Sequence, residues 1–188
     1  MEQNLDLNKT LLDCWRTTNQ TSILLVKIIA PNLWTKRIPG YKHKTIAMLA
    51  IHLHNARCMW IKNISNKKLK GTLKTINSYY GTKKELLVAL KQSGKAMLNL
   101  LESCVENGGR LPARPAWLNF PNDVIHLLAY FVAHEAHHRG QIVMASRQLD
   151  QPFTRELAGE LWQWAKRQKE SKKSKRVNKK KLALISYK

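Results

Sequence analysis

Apolar residues recur along this chain at three- and four-residue spacings, the period of a helix with one buried face, and no stretch alternates as a strand would. Residues 4 to 30 carry the first such pattern, in Leu7, Leu11, Leu12, Trp15, Ile23, Leu24 and Ile28. Asp6 lies near its start and Pro31 closes it. A connecting loop with Pro39-Gly40 follows, its Trp34 expected to pack back on the body. The second pattern runs from about Lys44 to Asn63 and places Leu49, His52, Ala56 and Trp60 on one stripe. His54 falls roughly 200° around from His52, so only one of these two histidines can face a given interior surface. Asn66 to Gly81 is polar and poorly periodic and reads as loop. Thr82 and Glu85 then form a capping-box signature for a third helix to about Glu106, with Leu86, Leu87, Leu90, Met97, Leu98, Leu101 and Cys104 inward.

Asn107-Gly108-Gly109 ends that helix, and a crossover containing Pro112, Pro115, Pro121, Trp117 and Phe120 leads to Asn122, a candidate cap. The fourth helix extends to about Leu149 and sets Leu127, Phe131, His134, His138, Ile142 and Ala145 on one stripe, which turns both histidines toward the core. After Pro152, Thr154 starts a short helix over residues 155 to about 168, with Leu157, Leu161, Trp162 and Trp164. No internal repeat interrupts the series. The expectation is an all-α four-helix bundle with a short C-terminal helix.

Composition adds one qualification. The chain has 188 residues, 44% of them hydrophobic, enough for one domain with a real core. Its net charge of +21 is unevenly placed: residues 166 to 188 hold eleven lysines and arginines against one acid, Glu170. The reading is therefore a domain over residues 1–165 and a basic, flexible tail over 166–188, in which Leu182, Leu184 and Ile185 can dock locally. The start of the chain shows no basic flank leading into an apolar segment, and no apolar run reaches membrane-spanning length. Cys14, Cys58 and Cys104 are widely spaced and outside any paired motif, which suits free buried thiols in a reducing compartment. The cytoplasm is the expected location.

The chemistry concentrates in His134-Glu135-Ala136-His137-His138-Arg139-Gly140-Gln141. Positions i and i+4 of a helix differ by about 40° around the axis, so His134 and His138 present two imidazoles on one face. Three readings are open. The pair can be core histidines hydrogen-bonded to neighbours. His134-Glu135-x-x-His138 also spells H-E-x-x-H, in which two histidines hold zinc, the glutamate is a general base, and Glu156 or Glu160 would supply a third ligand. That chemistry needs a strand edge for a peptide, which the pattern does not offer. Alternatively, His52 completes the set from the second helix. Three neutral imidazoles leave coordination positions open, as catalytic sites do. Beside them, Glu135 can orient a ligand or pair with a base, Arg139 and Gln141 can bond across a subunit interface or to a substrate anion, and Gly140 admits a close helix.

At His52 to Arg57 the chain reads H-L-x-x-A-R, with Trp60 just beyond, and at His134 to Gln141 it reads H-x-x-x-H-R-G-Q. This combination resembles the DinB-like (DinB/YfiT-like) family of four-helix-bundle metalloenzymes over roughly residues 5 to 165, and Leu161-Trp162-Gln163-Trp164 is similar to the C-terminal portion of some members. The resemblance implies a cytoplasmic homodimer with a divalent metal ion on His52, His134 and His138. Zn, Ni and Fe all suit such ligands. It also implies thiol-dependent transferases or isomerases that use a low-molecular-weight thiol, and the expectation for this chain is a metal-dependent enzyme, a thiol-dependent S-transferase or a hydrolase acting on a small molecule. The family name carries no implication of action on DNA. His54, His126 and His137 offer spare nitrogens, with His126 expected at the surface and His137 at the edge of the stripe. A binding protein attached nonspecifically to nucleic acid through Lys172 to Lys181, its histidine site structural or vestigial, is the alternative class. No base-reading motif accompanies that basic run.

Overall fold

Local sequence signals set the ends of the helices seen in the computed structural model, which describes residues 4–65, 73–113 and 119–172. Asp6 accepts the backbone N–H of Lys9 at the start of α1, Leu7–Ile28, and Thr45 accepts that of Met48 at the start of α2, Ile46–Ile64. The capping box of Thr82 and Glu85 opens α3, Lys83–Glu106, as expected. The fourth helix, α4, spans Val124–Gln148 and is capped by Asp123 in place of Asn122, since Asp123 supplies the carboxylate that accepts the His126 N–H. Thr154 caps α5, Arg155–Glu160. A further helix, α6, covers residues 164–172, so the single terminal helix expected over 155–168 is two helices broken at 161–163.

The chain is all-α: among the described residues the only extended pairings are isolated bridges, Arg37 with Thr45 and Arg110 with Asp123. Each of α1 and α2 packs against both α3 and α4, so that α1 lies diagonally opposite α2 in a four-helix arrangement. Trp34 does pack back, 9% exposed, and its Nε1 donates to the Gly81 carbonyl at 3.0 Å. That bond ties the first connection to the start of α3.

The interior is divided. One apolar cluster gathers Ile23, Val26, Ile46, Leu53, Leu86, Leu90 and Ile142. A second gathers Trp15, Trp60, Met97, Leu101, Leu127 and Phe131, with Trp15 edge-on to Phe131 at 5.8 Å. In every one of the four long helices, polar residues fall between the two sets: Asn19 and Ser22, then Arg57, Ser93 and Glu135. A polar layer therefore crosses the middle of the bundle.

The C-terminal helix joins this body. Arg167, 2% exposed, donates to Glu160 at 2.9 Å and lies 3.3 Å from Glu170, while Gln168 and Lys172 both reach Asp13 of α1 at 3.3 Å. The expected boundary at residue 166 falls inside α6, because Lys166 and Arg167 have an acid, Glu160, to pair with. From residue 173 onward, including Leu182, Leu184, Ile185 and most of the basic run on which nucleic-acid attachment would depend, the tail lies outside the described residues. The same is true of Gly71, Pro115 and Trp117. No helix among the described residues is long and apolar enough to cross a membrane.

Gly81 holds the entry to α3 against the first core. A Cβ added there would stand 2.7 Å from the Ile51 side chain and 2.9 Å from the Asn77 carbonyl, and closer still to Ile76. Gly81→Ala is expected to lower stability by about 1–3 kcal/mol through overpacking, measured as a lower urea midpoint with an unchanged slope.

Candidate metal centre

Burial assigns the histidines differently from the stripes. The apolar positions of α2 surround most of the helix, leaving Met48, His52, Asn55, Met59 and Lys62 as its one open face. His52 is therefore exposed, although Leu49, Ala56 and Trp60 are all buried. His54, 1% exposed, is the histidine that turns inward, and its Nε2 lies 2.9 Å from the Lys74 carbonyl. On α4 the fully buried line runs through Phe131, Glu135 and Ile142. His134 and His138 sit about one residue off that line and are half-buried, at a groove between α2 and α4, and do not point into the core.

At that groove three imidazoles converge. His134 Nε2 is 3.2 Å from His52 Nε2 and 3.2 Å from His138 Nε2, and ligand atoms of all three lie within 4.8 Å of one another. Nitrogens bound at about 2.0–2.1 Å to one tetrahedral ion stand roughly 3.3–3.4 Å apart, so this spacing fits a shared cation. The three histidines can hold a metal ion, and no fourth His, Cys, Asp or Glu joins the group among the described residues.

Protonation favours the same use. Burial pushes His134 down to about 4, helped by the neighbouring His138 and His52. Burial also lowers His52, with Lys44 adding to the effect. His138 is lowered by burial as well, against an opposing hydrogen bond to Gln141 and with further contributions from His52, His137 and Lys44. Neutral imidazole is the form that ligates. Gln141 Oε1 stands 2.8 Å from His138 Nδ1, so with the proton on Nδ1 the Nε2 lone pair is left facing the cluster. His134 is held otherwise: its ring stacks on Tyr130 at 5.4 Å, and its buried Nδ1 has no hydrogen-bond partner among the described residues.

Behind the groove stands the polar layer. Arg57 and Glu135 form a bidentate pair, Nε to Oε1 at 2.6 Å and Nη2 to Oε2 at 2.8 Å, with side chains 0% and 1% exposed. Arg57 Nη1 also donates to Asn19 Oδ1 at 2.8 Å and to the Leu90 carbonyl at 3.2 Å, and the guanidinium lies 4.8 Å from the Trp15 ring. Ser22 donates to Glu135 Oε2 at 2.5 Å and accepts from Arg139 Nη1 at 2.9 Å. One network thus touches all four long helices. Both charges are multiply bonded, the condition under which burying an ion pair is tolerable.

This geometry overturns the protease reading. Glu135 is directed into the bundle and held by Arg57, so it is no general base for the histidine groove. Glu160 pairs with Lys166 and Arg167, Glu156 is exposed at the start of α5, and neither joins the cluster. Arg139 and Gln141 both bond within the chain, Arg139 to Ser22 and Gln141, through its side-chain oxygen, to His138. Among the described residues nothing stands within 4 Å of a Cβ added at Gly140. His126 is at the surface with Asp123, 2.7 Å away, and His137 is exposed beside His138 with ring centroids 5.0 Å apart. Sequence reasoning allowed Glu135 a basic partner but did not identify Arg57 as that partner. The signal was an arginine flanked by Ala56 and Cys58 on the apolar side of α2, since such a charge needs a partner.

An all-α bundle with a three-histidine groove between two of its long helices is the class of protein defined so far. The model of the DinB family matches residues 1–152, and the chain belongs to that family. No curated protein and no solved structure matched the chain.

Removing one member of the buried pair leaves the other charge unpaired in the core, so Glu135→Ala and Arg57→Met are each expected to cost about 3–5 kcal/mol. The double variant Arg57→Met/Glu135→Leu should lose less than the two single losses added together, as read by a double-mutant cycle in urea. A second expectation concerns pH. His134 is harder to protonate folded than unfolded, so the unfolded chain takes up the extra proton as pH falls from about 6.5 toward about 4. Stability of the metal-free protein should fall across that window, and His134→Gln should flatten the slope in urea titrations at successive pH values.

Proposed function

We propose that this protein is a divalent-metal-dependent enzyme whose ion is held by His52, His134 and His138, and that it transfers a low-molecular-weight thiol to, or hydrolyses, a small molecule. The observation carrying this reading is the convergence of three imidazole nitrogens in an open groove, with no fourth protein ligand beside them among the described residues. Such a ligand set leaves positions for exogenous molecules. A divalent ion there supplies a Lewis acid that polarises a carbonyl or promotes ionisation of a coordinating thiol or water.

The chain's own residues supply the frame. Tyr130 and Gln141 orient His134 and His138, and the Arg57–Glu135 pair locks α2 against α4 behind them. The protein's thiols support an external thiol as the nucleophile. Burial pushes Cys58 and Cys104 up to about 11 and raises Cys14 too, and none of the three joins the histidine cluster. A homodimer in the cytoplasm completes the proposal, on the strength of the resemblance to the family.

Metal analysis after incubation with Zn, Ni or Fe(II) tests the site. Stoichiometric uptake is expected in the wild type and its loss in the combined His52→Ala, His134→Ala and His138→Ala variant. Stoichiometric metal in that triple variant would falsify the assignment. Glu156→Ala and Glu160→Ala variants should bind metal as the wild type does.

A further inference from the structure

The groove that carries the histidines does not end at them. Toward the C-terminal end of α4 it opens into a cleft of about 180 Å³, walled by Ile38, Leu49 and Ala145 and edged by Lys44, Gln141 and Gln148. Leu49 is three residues before His52 on α2, and Gln141 and Ala145 are three and seven residues after His138 on α4. At 1.5 Å of rise per residue, the cleft extends roughly 10 Å along the helices from the histidines, the span of a small molecule.

Its polar edge is specific. Lys44 is half-buried, its ammonium 4.9 Å from the Tyr41 ring, and no acid pairs with it among the described residues. Its positive charge reaches both His52 and His138, which it helps to hold in the neutral form. Gln141 belongs to both places. Its oxygen faces His138 Nδ1, and its amide nitrogen has no partner among the described residues. An unpaired ammonium and a spare amide donor beside buried Ile38, Leu49 and Ala145 present one positive charge against an apolar wall.

Resting on the metal-enzyme reading above, we infer that this cleft seats the substrate, taking a carboxylate at Lys44 and Gln141 and an apolar portion against Ile38, Leu49 and Ala145. The substrate class is thus a small monocarboxylate with a hydrophobic body, whose reacting end lies toward His52, His134 and His138. A phosphate dianion fits less well, because the cleft offers one cation and no guanidinium fork.

The test uses benzoate as probe and benzamide as its neutral counterpart, titrated into the full chain as purified and followed by the backbone amide resonances of Leu49, Gln141 and Ala145. Benzoate should move these resonances in the wild type, in Lys44→Arg and in the triple histidine variant. In Lys44→Gln its affinity should fall about tenfold, the scale of losing one charge-assisted hydrogen bond. Benzamide should bind more weakly than benzoate and be indifferent to Lys44→Gln. Equal benzoate affinity in the wild type and Lys44→Gln, or no movement of these resonances, overturns the proposal. The triple variant separates the two readings. Lys44-dependent benzoate binding without metal uptake by the wild type keeps the cleft and removes the metal enzyme. Metal uptake with Lys44-independent binding removes the cleft alone.

Discussion

The Arg57–Glu135 ion pair is the constraint around which this bundle is arranged. Both side chains are buried, and two charges taken from water cost several kcal/mol each unless their bonding capacity is met. Meeting it here requires Asn19 and Ser22 from α1, the Leu90 carbonyl from α3 and the guanidinium of Arg139 on α4. A shift of any one helix along its axis would leave a charge or a donor unsatisfied. The apolar clusters on either side would tolerate such a shift far better, because dispersion and hydrophobic contacts have little directionality. The polar layer thus selects one register among those that the two cores would allow.

That register is also what brings the histidines together. Glu135 adjoins His134, and Arg57 is five residues beyond His52, so clamping the pair aligns the two helices at the level of the groove. The buried face of α4 holds the bundle and the adjacent, half-open face presents His134 and His138. The same separation explains why the imidazoles stay accessible while losing enough solvent to favour their neutral forms. Lys44 adds to this from the loop that precedes α2, linking the groove to the cleft beyond it.

Much of the fold was legible from local signals. The Thr82–Glu85 capping box, the period of α1 and α3 and the breaks at Pro31 and Gly108-Gly109 each act over a few residues, and each appears where expected. The pairing of His52 with His134 and His138 was readable because two motifs with the same chemistry lay on two long helices. Less legible was α2. With apolar residues on most of its circumference, the stripe through Leu49 and Trp60 did not identify its open face, and His52 was assigned to the interior. The end of the folded body was likewise hidden, because a run of lysines and arginines looks solvated until Asp13 and Glu160 are placed beside it.

By itself, then, the sequence determined the four long helices, most of their ends and the three histidines that meet at the groove, since propensity, capping and i,i+4 spacing are local properties. Only the tertiary structure decided which way each helix turned. It turned Glu135 toward Arg57 and away from the histidines, and His54 inward and His52 outward. The physical reason is that a charge or imidazole takes the side where its partners or water are found. Those partners come from helices separated by tens of residues in the chain, so no local pattern could reveal them.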